Sequence, residues 1–256
     1  MPKIPTYRIR PFREGWDLEA VTRLYMEHGG AFLPVPDADD LLEAAEDGMV
    51  FVIAEGPDAR KSRALGVAGL FRITDCDGPN GPISAYEMAG MVLAPPLRRC
   101  GLQPLMLALR ALTLARGAST NTVLMASVVA KNAPSLANLE KEGFVRCESP
   151  DWLRVMHRSW NLGAADVIDL VMQPRAVQDH ARLLADALSD PVRKRKADDG
   201  GPPAIRVEFD VAWLGDEPDV LGAYQAGQIP AWEVAIPSTR LLGTAPNWVR
   251  FKPLSG

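Results

Sequence analysis

The segment Met91–Ala118, MVLAPPLRRCGLQPLMLALRALTLARGA, changes its periodicity halfway along its length. It begins as an apolar run of strand-forming residues, passes Pro95, Pro96 and two arginines, and reaches Gly101. From Leu102 onward, leucines recur at the spacing of an amphipathic or buried helix. A strand is therefore predicted to meet a helix across a basic turn that contains a glycine.

Such a turn suits an anion, because the first N–H groups of a helix are unpaired and carry roughly half a positive charge. Arg98 and Arg99 add two cations, and Gly101 allows a close approach to the backbone. A phosphate or pyrophosphate is the natural ligand. The alternative is a tight turn with two solvated arginines. The turn is neither a P-loop nor a dinucleotide fingerprint, because it lacks Gly-Lys-Ser/Thr and has one glycine.

The flanking sequence alternates between strand and helix patterns. Predicted strands cover 7–12, 49–56, 64–73, 85–93 and 122–130, and a final hairpin covers 144–148 and 152–160. Predicted helices cover 17–28, 38–46 and 134–142, and 74–82 is interpreted as a loop of turn residues. This order predicts an α/β (α+β) fold in which a mixed sheet is flanked by helices.

Beyond Asn161 the composition changes, which divides the chain into predicted domains at 1–160, 161–203 and 204–256. The middle part contains two predicted helices, 164–172 and 175–189, followed by a solvated linker at 191–203 that includes the basic run Arg193–Lys196. The last part contains three predicted strands, 204–213, 231–237 and 247–251. Each of these strands carries or adjoins a tryptophan, so we expect this extension to pack on the core or on a second subunit, giving a homo-oligomer.

The composition limits the class of protein. With 28 Lys and Arg against 32 Asp and Glu, the net charge is −4, which argues against a general nucleic-acid binder. Cys76, Cys100 and Cys147 are too scattered for a disulfide framework and lack metal-ligand spacing. The sequence starts without an apolar signal core, and no apolar run approaches the roughly 18 residues that span a bilayer. We therefore expect a cytoplasmic protein with no metal and no membrane partner.

Two motifs carry a resemblance to a known superfamily. Arg98–Gln103 fits the arginine and first glycine of the loop Arg/Gln-x-x-Gly-x-Gly/Ala, with Gln103 where a small residue is usual. Asn132, followed by Gly143 and Phe144, fits a second motif at its usual spacing. Over residues 7–160 the sequence thus resembles the GNAT superfamily of acetyl-CoA-dependent N-acyltransferases.

The resemblance implies a mostly antiparallel, twisted sheet and acetyl-CoA or another acyl-CoA as cofactor. It implies a small-molecule or peptide amine as acceptor. The backbone amides that would hold the CoA pyrophosphate belong to Arg98, Arg99, Cys100, Gly101, Leu102 and Gln103. Met91, Leu93 and Asn132 would line the rest of the cofactor cleft, and the backbone N–H of Leu93 would meet the thioester carbonyl.

Acyl transfer to an amine needs a base, because an ammonium with a pKa near 10.4 cannot attack a thioester. Glu87 precedes Arg98 by eleven residues, where GNAT enzymes with a strand glutamate base carry it. By strict alternation Glu87 shares a strand face with Ala89, Met91 and Leu93. The alternative for Glu87 is a solvated or ion-paired strand residue.

The general acid is where the sequence departs from the family. Many members place a tyrosine at the position of Leu139, and leucine cannot donate a proton. Loss of an acid costs about 10²–10⁴ in rate, although Ser135, Ser127, Tyr86 or a water could replace it. Two functions therefore stay open: an N-acyltransferase, and a catalytically degenerate CoA-binding or protein-interaction module.

Overall fold

A computed structural model describes residues 4–30, 33, 35–56, 63–78, 81–117, 122–147, 167–172, 176–196 and 202–216. The strands are β1 Thr6–Pro11, β2 Val50–Glu55, β3 Ala64–Gly78, β4 Gly81–Leu93, β5 Thr122–Val129, β6 Phe144–Cys147, β7 Val167–Met172, β8 Val192–Lys194 and β9 Ala204–Phe209. The helices are α1 Glu14–His28, α2 Ala38–Glu46, α3 Leu102–Gly117, α4 Ala133–Lys141, α5 Ala176–Ser189 and α6 Ala212–Asp216. Among these helices, none is both long and apolar enough to cross a membrane.

In the described part of the chain, nine strands form one sheet in the order β6-β7-β5-β4-β3-β2-β1-β9-β8. Two neighbouring pairs, β4 with β5 and β1 with β9, are parallel, and the other pairs are antiparallel. The predicted mixed, mostly antiparallel sheet with flanking helices is confirmed. The predicted loop at 74–82 is wrong, because β3 and β4 extend through most of it and close a longer hairpin.

The two faces of the sheet bury separate cores, because successive strand side chains point in opposite directions. Phe51 and Ile53 of β2 pack on the face covered by α3 and α5. Their neighbours Val50 and Val52 pack on the face covered by α1 and α2. We call these the α3 face and the α1 face.

The predicted helix at 164–172 is wrong. Residues Val167–Met172 form β7, which lies between β5 and β6. A short apolar run that is buried on both faces has no helical or strand periodicity of its own, so pairing with two neighbours decides its conformation. Strand β6 pairs with β7, and the predicted hairpin strand at 152–160 lies outside the described residues.

The predicted linker at 191–203 also contains regular structure. Val192–Lys194 form β8 against β9, and β9 pairs in turn with β1. Strands from all three predicted segments thus share one sheet, while the division at 160 and 203 into domains stays a prediction. The predicted strand 204–213 is found as β9 followed by α6, and the strands predicted at 231–237 and 247–251 lie outside the described residues.

Candidate functional site

The parallel strands β4 and β5 separate at one end. They are paired from Ser84 to Glu87 on β4, whereas β4 continues to Leu93 and β5 to Val129, and both strands are described throughout that part. Beyond Glu87 the two strands therefore leave an opening in the sheet.

A β-bulge in β4 lies beside this opening. Val67 of β3 pairs with Val92, but Gly69 pairs with Ala89, so between these pairs one residue of β3 lies opposite two of β4, Gly90 and Met91. The extra residue is accommodated at Gly90, whose φ of 67° is one that glycine adopts without strain. Such a bulge bends the strand and increases its twist, which turns β4 away from β5.

The bulge also overturns one prediction about the base. Met91 and Leu93 pack on the α3 face together with Met88, whereas Val92 packs on the α1 face. Because the inserted residue shifts the alternation, Glu87 does not share a face with Met91 and Leu93 as predicted. It lies on the side opposite Met88, toward the α1 face.

Two buried polar side chains hold the bulge from opposite faces. Tyr25 of α1 donates a hydrogen bond of 2.5 Å to the carbonyl of Gly90. Arg110 of α3 donates to the carbonyls of Gly69, at 2.7 Å, and Ala89, at 3.1 Å. These carbonyls would otherwise be poorly paired, because a bulge interrupts the ladder.

Burial governs the ionisation of this pair. It raises the pKa of Tyr25, which therefore remains a neutral donor. It lowers the pKa of Arg110 to about 9, which still leaves the guanidinium charged at neutral pH. Neither residue was predicted from the sequence, although an arginine inside a leucine-rich helix and an isolated Gly90 inside a strand pattern are signals of this kind.

The basic turn follows β4 as predicted. A 3-10 turn at Pro95–Leu97 leads to Arg98, whose Nε donates to the carbonyl of Leu93 at 2.9 Å and so closes the turn. Arg99 has a φ of 62° and Gly101 a φ of 71°, and α3 begins immediately afterwards. A Cβ added at Gly101 would meet nothing within 4 Å, so space is open next to the helix start.

The side chains of the turn have different surroundings. Cys100 and Leu102 are buried in the core of the α3 face, so only their backbone can face a ligand. Arg98 and Arg99 are exposed. Gln103 accepts a hydrogen bond of 2.9 Å from the Asn138 side chain, which links the first turn of α3 to α4.

Helix α4 begins just past the end of β5. Asn132 caps it, because its side-chain oxygen accepts from the backbone N–H of Ser135 at 3.4 Å. Ser135 is partly exposed in the first turn. Leu139 is 7% exposed and packs in the hydrophobic core, so it offers hydrocarbon where a proton donor was sought.

Glu87 is the buried carboxylate nearest the start of the opening. It is 5% exposed and lies between Phe71 of β3 and Met125 of β5. The structure thus places all predicted site residues around the open ends of β4 and β5: Glu87, Met91 and Leu93 on β4, 98–103 in the turn, and Asn132 and Ser135 after β5. Among the described residues, no group of three His, Cys, Asp or Glu side chains could hold a metal ion.

No known family model and no curated protein matches the chain. Solved structures with a similar arrangement include the NatC complex bound to Gag peptide and CoA, at 11% identity and TM-score 0.47, covering 65% of this chain and 98% of that one. N-acetylglutamate synthase from Neisseria gonorrhoeae, complexed with coenzyme A and N-acetyl-glutamate, has 20% identity and TM-score 0.45, covering 66% and 35%. Ribosomal-protein-alanine N-acetyltransferase from Brucella melitensis has 22% identity and TM-score 0.42, covering 64% and 95%.

Another similar structure is a GCN5-related N-acetyltransferase from Kribbella flavida, of which this chain covers 34% at 15% identity and TM-score 0.42. The fold is similar to that of the GNAT acetyltransferases. At these identities and TM-scores the likeness concerns the arrangement of strands and helices alone.

Proposed function

We propose that the protein is a GNAT-type N-acyltransferase that moves an acetyl or other acyl group from acyl-CoA to a primary amine. The observation that supports this most is the coincidence of two features at one place. The opening between β4 and β5 lies where β4 ends, and the basic turn into α3 follows it directly. Acyl-CoA is a long thioester with a pyrophosphate near its middle. Its shape and charge therefore match an opening in the sheet that lies next to a basic turn.

In this proposal the backbone N–H groups of 98–103 hold the CoA pyrophosphate, with the open space at Gly101 as its seat. The pantetheine arm enters the gap between β4 and β5. The N–H of Ala94 bonds to Leu65 on β3, so by alternation the N–H of Leu93 points the other way, toward the gap. That N–H is the proposed donor to the thioester carbonyl oxygen.

The acceptor is an ammonium at neutral pH, so it must lose one proton before it attacks and a second proton as the amide forms. The amine nitrogen attacks the thioester carbon, the C–S bond breaks as the C–N bond forms, and the amine proton passes to Glu87 directly or through a water. The thiol of CoA leaves as thiolate, which its pKa of about 8.5 tolerates. Ser135 is the proposed relay to that thiolate: its hydroxyl gives a proton to the sulfur as it receives one from a water, to which Glu87 returns a proton taken from the amine.

Substituting the base tests the mechanism. Glu87→Gln keeps the shape of the side chain and should leave CoA affinity unchanged, while kcat at pH 7 falls by about 10²–10⁴. Part of the loss should return as the pH approaches the pKa of the amine. The measurement is CoA release with mass detection of the amide, using acetyl-CoA and a panel of amines and peptides.

Glu55→Gln is the matched control, because Glu55 is exposed at the end of β2. Its kinetics should equal those of the wild type. Equal kinetics for Glu87→Gln at every pH would show that Glu87 is not the base.

A second candidate function is a CoA-binding or protein-interaction module without catalysis. Leu139 favours it, because a buried leucine replaces the expected acid. This candidate predicts that CoA binds while a broad panel of acyl-CoAs and amines gives no turnover above the uncatalysed rate. A cytoplasmic location is part of either proposal, since the three cysteines of the sequence are too few and too scattered for a disulfide framework.

A further inference from the structure

The basic segment Arg193–Lys196 is attached to the anion-binding turn, although about a hundred residues of chain separate them. The backbone N–H of Lys196 donates to the carbonyl of Arg99 at 3.1 Å. The guanidinium of Arg195 donates to the carbonyl of Pro96. Two hydrogen bonds thus connect the end of β8 to both halves of the turn.

The segment is itself ordered by its neighbours. The backbone N–H of Arg195 donates to Pro203 at 2.9 Å, and its Nε donates to Pro202 at 3.0 Å. Pairing of β8 with β9 fixes the residues just before it. Because the backbone of this segment is already ordered, it loses little conformational entropy when one of its cationic side chains binds a ligand.

The charge of the two elements combines. Lys194 and Lys196 are exposed on the segment, and Arg98 and Arg99 are exposed on the turn. The start of α3 adds the partial charge of a helix N-terminus. Four exposed cations beside a backbone cradle fit a ligand that carries a second anionic group close to its pyrophosphate.

We propose that Lys196, held against the turn by Arg195, binds the 3′-phosphate on the adenosine ribose of acyl-CoA. The inference rests on the proposed function, because it concerns the same cofactor. The ribose is attached directly to the pyrophosphate, and its phosphate monoester is close to a dianion at neutral pH. With pantetheine in the gap between β4 and β5, the adenosine end extends to the other side of the turn. A lysine ammonium is a common phosphate ligand, as a compact charge on a flexible stem.

The test compares CoA with 3′-dephospho-CoA, which keeps the pyrophosphate and loses the second anion. Calorimetry at low salt should show that the wild type prefers CoA. Lys196→Gln should lower the affinity for CoA about tenfold and leave the affinity for 3′-dephospho-CoA within twofold of the wild type. The reason is that one exposed contact with the 3′-phosphate has been removed.

Arg206→Gln is the matched control. Arg206 is exposed on β9 in register with Val192, and its loss changes the net charge by the same amount. It should leave both affinities unchanged. Thermal melts of the two variants should match the wild type, since both side chains are exposed.

Four results would overturn the proposal. Equal weakening of both ligands by Lys196→Gln would mean that the lysine acts as a distant charge, and no weakening would mean that it binds neither. If a short single-stranded RNA displaces bound CoA at a lower concentration than added free CoA does, the basic segment and the turn would be assigned to nucleic acid. If the wild type binds neither CoA nor 3′-dephospho-CoA, the proposed function fails and this inference fails with it.

Discussion

At the scale of single residues, the opening in the sheet depends on how the extra residue at Gly90 is accommodated. A Cβ there would lie 2.3 Å from the Tyr25 hydroxyl, which is itself bonded to the Gly90 carbonyl. Gly90 therefore serves two purposes: it adopts a positive φ, and it leaves room for the side chain that holds the bulge.

Gly90→Ala should lower the free energy of unfolding by roughly 3 kcal/mol, of which about 1 kcal/mol is backbone strain and the rest overpacking. Gly48→Ala is the control, because Gly48 has a φ of 70° with nothing within 4 Å of an added Cβ. It should cost about 1 kcal/mol. Urea unfolding measures both.

Removing the tyrosine hydroxyl isolates the clash. In a Tyr25→Phe background, Gly90→Ala should cost less than it does in the wild type, because its contact atom is gone. Equal costs for Gly90→Ala and Gly48→Ala would contradict the packing account of the bulge.

At the scale of elements, helices α4 and α5 meet at a buried histidine. His180 of α5 is 1% exposed, and its Nε2 lies 3.0 Å from the carbonyl of Glu142 at the end of α4. Burial lowers the pKa of His180 to about 4, so its ring is neutral in the folded protein at neutral pH. Burial raises the pKa of Glu142, which faces the same ring, and Asp179 and Lys141 are the other charges nearby.

Acid should weaken this contact. Between pH 6.5 and 4 the unfolded chain binds a proton at His180 that the folded protein does not, so stability falls as the pH falls through that window. Between pH 7 and pH 5, His180 should lower the free energy of unfolding by about 2 kcal/mol. Glu142 acts in the opposite direction, because its raised pKa favours proton uptake by the folded state.

Urea unfolding at pH 7 and pH 5 tests this for the wild type and His180→Gln. The variant should be less sensitive to acid by about 2 kcal/mol, because it has no imidazole to protonate. Parallel dependence of the two proteins on pH would show that His180 does not titrate differently in the folded and unfolded chain.

The sequence predicts elements well where pattern and length agree, as for α3, whose leucines recur along a long helix between clear end signals. It fails at Val167–Met172, because a short apolar run takes its conformation from the strands beside it. The sequence also predicts strict alternation along β4, and this prediction is wrong. A single glycine does not reveal a bulge, and the bulge reverses the faces of Met91 and Leu93.

At the scale of the whole molecule, the C-terminal part of the described chain adds β9 and β8 to the sheet beyond β1, at the edge opposite β6. β9 pairs in parallel with β1, and its side chains Ile205 and Val207 are buried in the same core as α3. The basic end of β8 reaches the turn before α3. Sequence motifs predicted the members of the site that are close along the chain, whereas contacts such as Lys196 with Arg99 depend on the complete fold.

The central claim is that the turn before α3 binds the pyrophosphate of acyl-CoA, and calorimetry with CoA tests it most directly. Gly101→Glu places a carboxylate at the proposed phosphate seat, so affinity should fall on the order of a hundredfold. Gly48→Glu introduces the same side chain at a φ of 70°, against 71° at Gly101, in the turn between α2 and β2, and should bind CoA within twofold of the wild type. The same affinity for CoA in the wild type and in Gly101→Glu would contradict the account.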